Sequence, residues 1–313
     1  MTIATLSSPR LPLGAAQRSH TRFARSRTFG RALRSNRKAM AGLILLVVFA
    51  FMAIAPGLIA PDNPSAEIFA PGLGPSGAHL LGTTSYGQDI FSQFIWGTRV
   101  SLLIALVAGL FATALAVGIG VSAAYLGGLL DGFLSLLTDV FLVIPPFPLV
   151  VVIAAYSKNG GTTIIIAVLV VTGWSYGARQ LRAQTLSLRN RDFLIAAKLR
   201  GERNWRIIAS EILPTMTSLI VASFLGAAVY AVLAAAGLQF IGLGNVNTES
   251  WGTMLYWAQN NEALEAGSPL WAMAPGIGIA LLGAAFALLN YAFDEINNPA
   301  LRSVRGKHGH RNS

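Results

Sequence analysis

The chain has 313 residues, of which 54% are hydrophobic and only 12% charged, and its mean hydropathy is +0.58. A soluble domain carries about 25% charged residues, so neither a soluble globular domain nor a disordered chain describes it. The formal charge of +10 has the size expected of a nucleic-acid binder but not the distribution, and the absence of cysteine removes disulfides, thiolate nucleophiles and Cys-ligated metals.

Residues 1–38 hold nine Lys or Arg and no acid. They read as a basic, disordered cytosolic tail attracted to anionic headgroups. A membrane helix needs about 20 mostly apolar residues, and the charge-free run Ala39 to Pro61 supplies a first span at about 40–60. Ala53-Ile54-Ala55 has the form of a signal-peptide cleavage site, but Pro56 follows directly and hinders cleavage. Residues 61–98 are rich in turn formers and read as an external loop with a short helix near Gln88–Trp96.

The second span, about 98–126, carries Ala108, Ala112, Ala116, Gly120 and Ala124 at four-residue spacing. Such a smooth stripe allows close helix approach in lipid. The third, about 133–156, contains Asp139 and Ile144-Pro145-Pro146-Phe147-Pro148. Proline removes a donor and kinks a helix, and freed carbonyls at membrane depth need protein or a water-filled cavity. Pro145 and Pro146 therefore predict a broken helix beside a cavity. Asp139 is a functional-site hypothesis by default, and it equally suits a bond to a neighbouring helix.

A fourth span lies at about 162–181, a fifth at about 214–240 and a sixth at about 270–292, before a tail at 301–313. The loop 241–268 carries Glu249, Glu262 and Glu265 and no base; Trp251, Tyr256 and Trp257 there, with Trp271, read as interface anchors or as a docking surface. Six spans give an all-α polytopic membrane domain over 39–300. Twenty-one of the 23 basic residues fall in 1–38, in 179–206 and after 294. Positive residues stay inside, so both termini and the 182–213 segment are expected in the cytoplasm.

Enzyme chemistry is missing. No phosphate loop, HExxH or GxSxG occurs. The histidines, His20, His79, His308 and His310, lie outside the spans, and Asp139 is the single carboxylate expected inside them. Neither a catalytic set nor a metal or cofactor site is expected on this chain.

Residues 182–214 are too patterned for a connector. Asn190 or Asp192 suits a helix start, Phe193, Ala196 and Ala197 fall on one face, and Gly201 suits a left-handed stop. A second helix, 203–212, would put Trp205, Ile208 and Ile212 together before Pro214 opens the next span. The small-residue face suits a groove on another protein; a segment resting on lipid gives the same periodicity.

This segment resembles the EAA loop of ABC-importer permeases, whose pattern is Glu-Ala-Ala, three residues, Gly, nine residues, Ile-x-Leu-Pro. Ala196, Ala197, Gly201, Leu213 and Pro214 match in register, while Ile195 and Glu211 replace the usual Glu and Ile. From about residue 34 to 302 the chain is similar to the second permease of dipeptide/oligopeptide/nickel-type importers. His79-Leu80-Leu81-Gly82-Thr83 with Gly87, Asp89, Ser92, Gly97, Arg99 and Ser101 resembles that subfamily's external HPLGTD–GRD stretch, with Thr84 and Gln88 as departures. Leu238 to Gly244, Ser250-Trp251-Gly252, Ala285 to Leu289 and Asn298 to Arg302 resemble its further motifs.

The resemblance implies a type I importer bundle in a bacterial cytoplasmic membrane. A second permease subunit would complete a heterodimeric pore, two ATPases would use ATP and Mg²⁺ beneath it, and an extracytoplasmic binding protein would deliver a peptide. Asp192, Phe193, Ala196, Ala197, Arg200, Gly201, Leu213 and Pro214 would form the coupling loop. Asp89, Trp251 and Gly252 would lie on loops facing the binding protein. Nickel, oligosaccharide or glutathione fits the same architecture. A stand-alone secondary transporter or channel, or a membrane scaffold, is the alternative from another class.

Overall fold

The computed structural model describes residues 36–60, 62–156 and 161–297. The expectations for residues 1–35, Lys158 and 298–313 lie outside the described residues. Those described are almost all helical, with no strand beyond an isolated bridge between Thr83 and Asp89. In chain order the helices are α1 (Arg37–Ile54), α2 (Pro56–Ile59), α3 (Ile90–Leu126), α4 (Gly128–Val143), α5 (Pro146–Ala155), α6 (Thr162–Gly173), α7 (Ser175–Leu188), α8 (Asp192–Leu199) and α9 (Asn204–Ile207). A π turn (Ile208–Ile212) leads into α10 (Leu213–Thr215), α11 (Thr217–Phe240), α12 (Trp251–Asn260) and α13 (Pro269–Asn297).

Among the described residues five continuous stretches are long and apolar enough to cross a membrane: α1, α3, α6 with α7, α11 and α13. The sixth candidate is α4 with α5, bent by 89°. The cause is the proline pair. A residue before proline is pushed out of the helical region, and Ile144 (ψ 127°) and Pro145 (ψ 120°) are both extended. Pro146 then opens α5 at the one place where a missing N–H costs nothing.

α3 is the axis. Its 37 residues span about 55 Å at 1.5 Å per residue. The short external helix expected near 88–96 is its first two turns: Asp89 caps the N-terminus, its carboxylate accepting from Ser92 N at 2.7 Å, and nothing interrupts the helix before residue 127. α7 and α11 pack along it, and α13 packs on α1. The small-residue stripe is the contact surface: Ala108, Ala112, Ala116 and Ala124 are each no more than 2% exposed. At Gly120 an added Cβ would meet the carbonyl oxygen of Ala178 on α7. Buried threonines hide their hydroxyls within the helices: Thr98, Thr113, Thr138, Thr172 and Thr185 each donate to the carbonyl four residues back, which satisfies them where water is absent.

Three further boundaries differ from expectation. The first span ends at Ile54, because the chain leaves the helix at Ala55 before Pro56 opens α2. The fourth span continues to Leu188, because Arg179 to Leu188 keep helix-forming residues with no stop signal. The fifth starts at Thr217, since Pro214 belongs to the short α10.

Gly120→Leu should overpack the α3–α7 contact and cost about 1–3 kcal/mol. It is expected to melt several degrees below wild type in detergent, whereas Gly118→Leu, with nothing near its Cβ position, should melt unchanged. Equal melting of the two variants would contradict this packing.

Candidate functional site

The two ends of the bundle differ in charge. One carries Arg182, Arg189, Arg191, Lys198, Arg200, Arg203 and Arg206, and the other Asp62, Glu67, Glu249, Glu262 and Glu265. At the basic end the 192–216 element folds onto the bundle. Leu194, Ala197, Ile207, Ile212 and Met216 are buried with Tyr125 of α3 and Ala178 and Leu181 of α7. Lys198 lies over the Tyr125 ring at 5.0 Å, a cation–π contact. α8 stops at Gly201, whose φ of +73° is left-handed. Gly201 N donates to Lys198 O (2.9 Å) and Glu202 N to Ala197 O (3.3 Å), the bond pair of a Schellman stop.

This geometry corrects the expected docking face. Ala197 is fully buried and points into the bundle, while Ala196 is exposed, so the two do not share a surface. The outward face of α8 is made by Ile195 (46% exposed) and Leu199 (84%), while Phe193 (38%) lies on the Ala197 side of that helix and Trp205 (66%) is exposed on α9. Trp205 was expected beside Ile208 and Ile212. The π turn changes the phase, and Ile207 and Ile212, five residues apart, occupy the inward face instead. Ile195 and Leu199 at i, i+4 were the overlooked sequence signal. Asp192 sits exposed in the first turn of α8. Arg200 folds back on Glu202 at 2.7 Å, Leu213 packs partly against the buried cluster, and Pro214 is exposed. Above them Arg182 grips Asp131 with two bonds of 2.7 and 2.9 Å, fastening α7 to α4.

Within the bundle a cavity of about 560 Å³ opens between α3, the α4–α5 bend, α6–α7 and α11. Its polar lining is neutral: Thr113, Thr172, Ser175, Tyr176, Gln180, Ser223 and Tyr230, with Asn290 of α13. Thr172 Oγ1 lies 3.1 Å from the Tyr230 hydroxyl. Pro146 borders this cavity, and Pro145 and Asp139 do not. Asp139 pairs with Arg179 of α7 at 3.6 Å, both side chains being more than half exposed, so it bonds a neighbouring helix.

At the acidic end residues 62–89 fold back as a platform. Thr83 Oγ1 donates to Ala70 O and accepts from Leu73 N, both at 2.8 Å, and His79 Nδ1 contacts Asp89 Oδ1 at 3.1 Å. Trp251 is wholly buried, with Nε1 donating to Phe94 O (3.0 Å) and its backbone N to Ser101 Oγ (3.1 Å). Its ring stacks on Phe94 at 5.5 Å. A Cβ on Gly252 would strike Gln239 Oε1. Asp89, Trp251 and Gly252 are therefore buried supports, which corrects the expectation that they face a partner. Trp251 and Trp271, at 0% and 1% exposure, are core residues and not lipid-interface anchors. Glu249 is half-buried and accepts from Ser65 Oγ at 2.9 Å. Burial outweighs that bond and raises its carboxyl above the ordinary 4.5. Among the described residues no group of three or more His, Asp or Glu is placed to hold a metal ion.

Comparison with known proteins gives concordant matches. The family described as binding-protein-dependent transport system inner membrane component matches residues 116–303. The N-terminal TM domain of oligopeptide transport permease C matches residues 25–75. The dipeptide transport system permease protein DppC of Alkalihalophilus pseudofirmus is 32% identical over 278 residues, covering 87% of this chain and 88% of that protein. The oligopeptide transport system permease protein OppC of Mycobacterium tuberculosis is 33% identical over 227 residues, 72% of this chain and 78% of that protein. The glutathione transport system permease protein GsiD of Pectobacterium atrosepticum is 30% identical over 275 residues, 87% of this chain and 90% of that protein.

A carboxyl whose value is raised on folding stabilises the folded chain only while protonated. That contribution fades as pH climbs from about 4.5 through the raised value. Glu249→Gln should therefore melt a few degrees above wild type at neutral pH, with the gap closing as pH falls toward 4.5. Thermal unfolding of the detergent-solubilised protein across that window checks it, and a variant that melts lower at neutral pH would contradict it.

Proposed function

The chain belongs to the permeases of binding-protein-dependent transport systems of the cytoplasmic membrane, and from that premise we propose that it is one of two different permease subunits of an ATP-driven peptide importer. The acidic end faces outward and the basic end faces the cytoplasm. The concentration of Lys and Arg in 179–206 and in the terminal segments supports that orientation.

The observation that carries the reading is the 192–212 element. A coupling device must be stiff, attached to the moving helices, and matched to a partner's groove. Stiffness comes from the Gly201 stop and the Arg200–Glu202 pair. Attachment comes from Leu194, Ala197 and Ile207, buried against α3 and α7. The match is offered by the exposed apolar side chains of Ile195 and Leu199 on α8 and Trp205 on α9, in a segment rich in arginine, which suit a groove on an ATPase subunit. Hydrolysis of ATP with Mg²⁺ belongs to two such subunits, and their closure displaces α3 and α7 through this lever.

The bundle cavity supplies this subunit's share of the solute's path. Its hydroxyls and amides pair with peptide amides, and its lack of fixed charge leaves no deep trap along the way. Peptide substrates are supported by relatives named for dipeptide, oligopeptide and glutathione transport.

The test is reconstitution of the complete assembly, purified from its host, in proteoliposomes. ATP-dependent accumulation of labelled di- or oligopeptides is expected. Leu199→Asp places a charge on the most exposed of these side chains and should reduce both ATPase retention and uptake by about tenfold or more, with membrane insertion intact. Wild-type ATPase retention by that variant would refute the coupling assignment.

A further inference from the structure

A second cavity, of about 390 Å³, opens at the acidic end, and transport through the bundle gives it no role. It lies between the folded-back segment 62–89 and residues 246–257, apart from the bundle cavity. Its walls carry two carboxylates, Glu67 and Glu249, and two aromatic rings, Tyr86 and Trp257. The rings meet edge to face with centroids 6.0 Å apart.

The walls are fixed before any ligand arrives. Ser65 Oγ donates to Glu249 Oε1 at 2.9 Å and so joins the two segments. Trp257 Nε1 donates to Val246 O at 3.0 Å. Gln93, buried in the floor, donates from Nε2 to Gln88 Oε1 (2.7 Å) and to Pro64 O (3.3 Å). Such preorganisation lowers the ordering cost of binding.

The charge of this cavity is unbalanced. Neither carboxylate is among the ion-paired residues described, and within residues 39–99 and 241–268 the one Lys or Arg is Arg99, exposed on α3 and outside the cavity lining. Buried charge is normally paired, yet Glu249 is half-buried with only a hydroxyl donor. Two carboxylates beside aromatic faces are the recognition chemistry of an alkylammonium or guanidinium group. The volume lies near the low end of the roughly 300–1,000 Å³ typical of small-ligand pockets, which suits one long cationic side chain. Glu262 and Glu265, exposed in the turn that follows α12, add negative charge to the segment that carries Glu249 and Trp257, which favours a partner with a basic surface over a free small cation.

We propose that this pocket receives a lysine or arginine side chain of the extracytoplasmic solute-binding protein and so sets the orientation in which that protein docks. This inference rests on the importer reading above. Opposite charge at such a contact speeds encounter and fixes register.

The test uses the complete transporter in nanodiscs and its purified binding protein, with docking measured at about 50 and about 300 mM salt. The Glu67→Gln/Glu249→Gln double variant and the single charge reversal Glu67→Arg are compared with wild type. Both should raise the Kd for docking by about tenfold or more at low salt and flatten its salt dependence. Retention of the ATPase subunits and a melting temperature no lower than wild type certify folding of the double variant; Glu67 is exposed, so its reversal supplies an independent readout. Docking equal to wild type in both variants overturns the pocket assignment and leaves the importer reading standing. A wild-type transporter that engages no binding protein overturns both. Normal docking with peptide uptake lost only for cationic peptides would give the pocket to the solute and also overturn the proposal.

Discussion

In hydrocarbon, two apolar helices gain little by leaving lipid for one another, because the lipid tails are as apolar as leucine. Association must come from close van der Waals contact, and close contact needs helix surfaces without bulk. α3 supplies that surface. Ala108, Ala112, Ala116, Gly120 and Ala124 let α7 and α11 approach its backbone, and the platform, the cavity and the 192–216 element are all positioned from this one helix. A larger side chain on that stripe would move every one of them.

The polar groups follow from the same constraint. Where water is absent, hydroxyls turn back on their own helices, as the threonines do. Where helices end, networks tie neighbouring elements together: Trp251 with Phe94 and Ser101 at the acidic end, Asp131 with Arg182 at the basic end. Beyond its Asp131 tie to α7, α4 is loosely held, with Thr138 its one buried residue. It is bounded by the glycine turn at 127–128 and by the proline break, and it has little buried surface to lose by shifting.

Much of this was legible in the residues. Charge-free runs gave the spans, Pro145-Pro146 the break, Gly201 the stop, and the alanine stripe the packing face. The failures have physical causes. A tryptophan at a helix end satisfies a lipid interface and a buried core equally well on composition, so Trp251 and Trp271 were misplaced. The phase of α9 was misread because a π turn at 208–212 replaces a period of 3.6 by a longer one, which periodicity reading assumes away. Ala196 and Ala197 are adjacent in sequence, and adjacent helical residues point about 100° apart, so only one could join the outer surface. The pocket with Glu67 and Glu249 joins residues 182 positions apart, a meeting that no local pattern announces.

The continuity of α3 carries one more consequence. Its 37 residues run unbroken from the Asp89 cap to the Tyr125 ring, so the two ends share one angular reference. One residue inserted anywhere between them would rotate everything beyond it by about 100°, turning the stripe toward lipid and Tyr125 away from Lys198. Residues 90–126 form a ruler on which neither an insertion nor a deletion of a single position is tolerated.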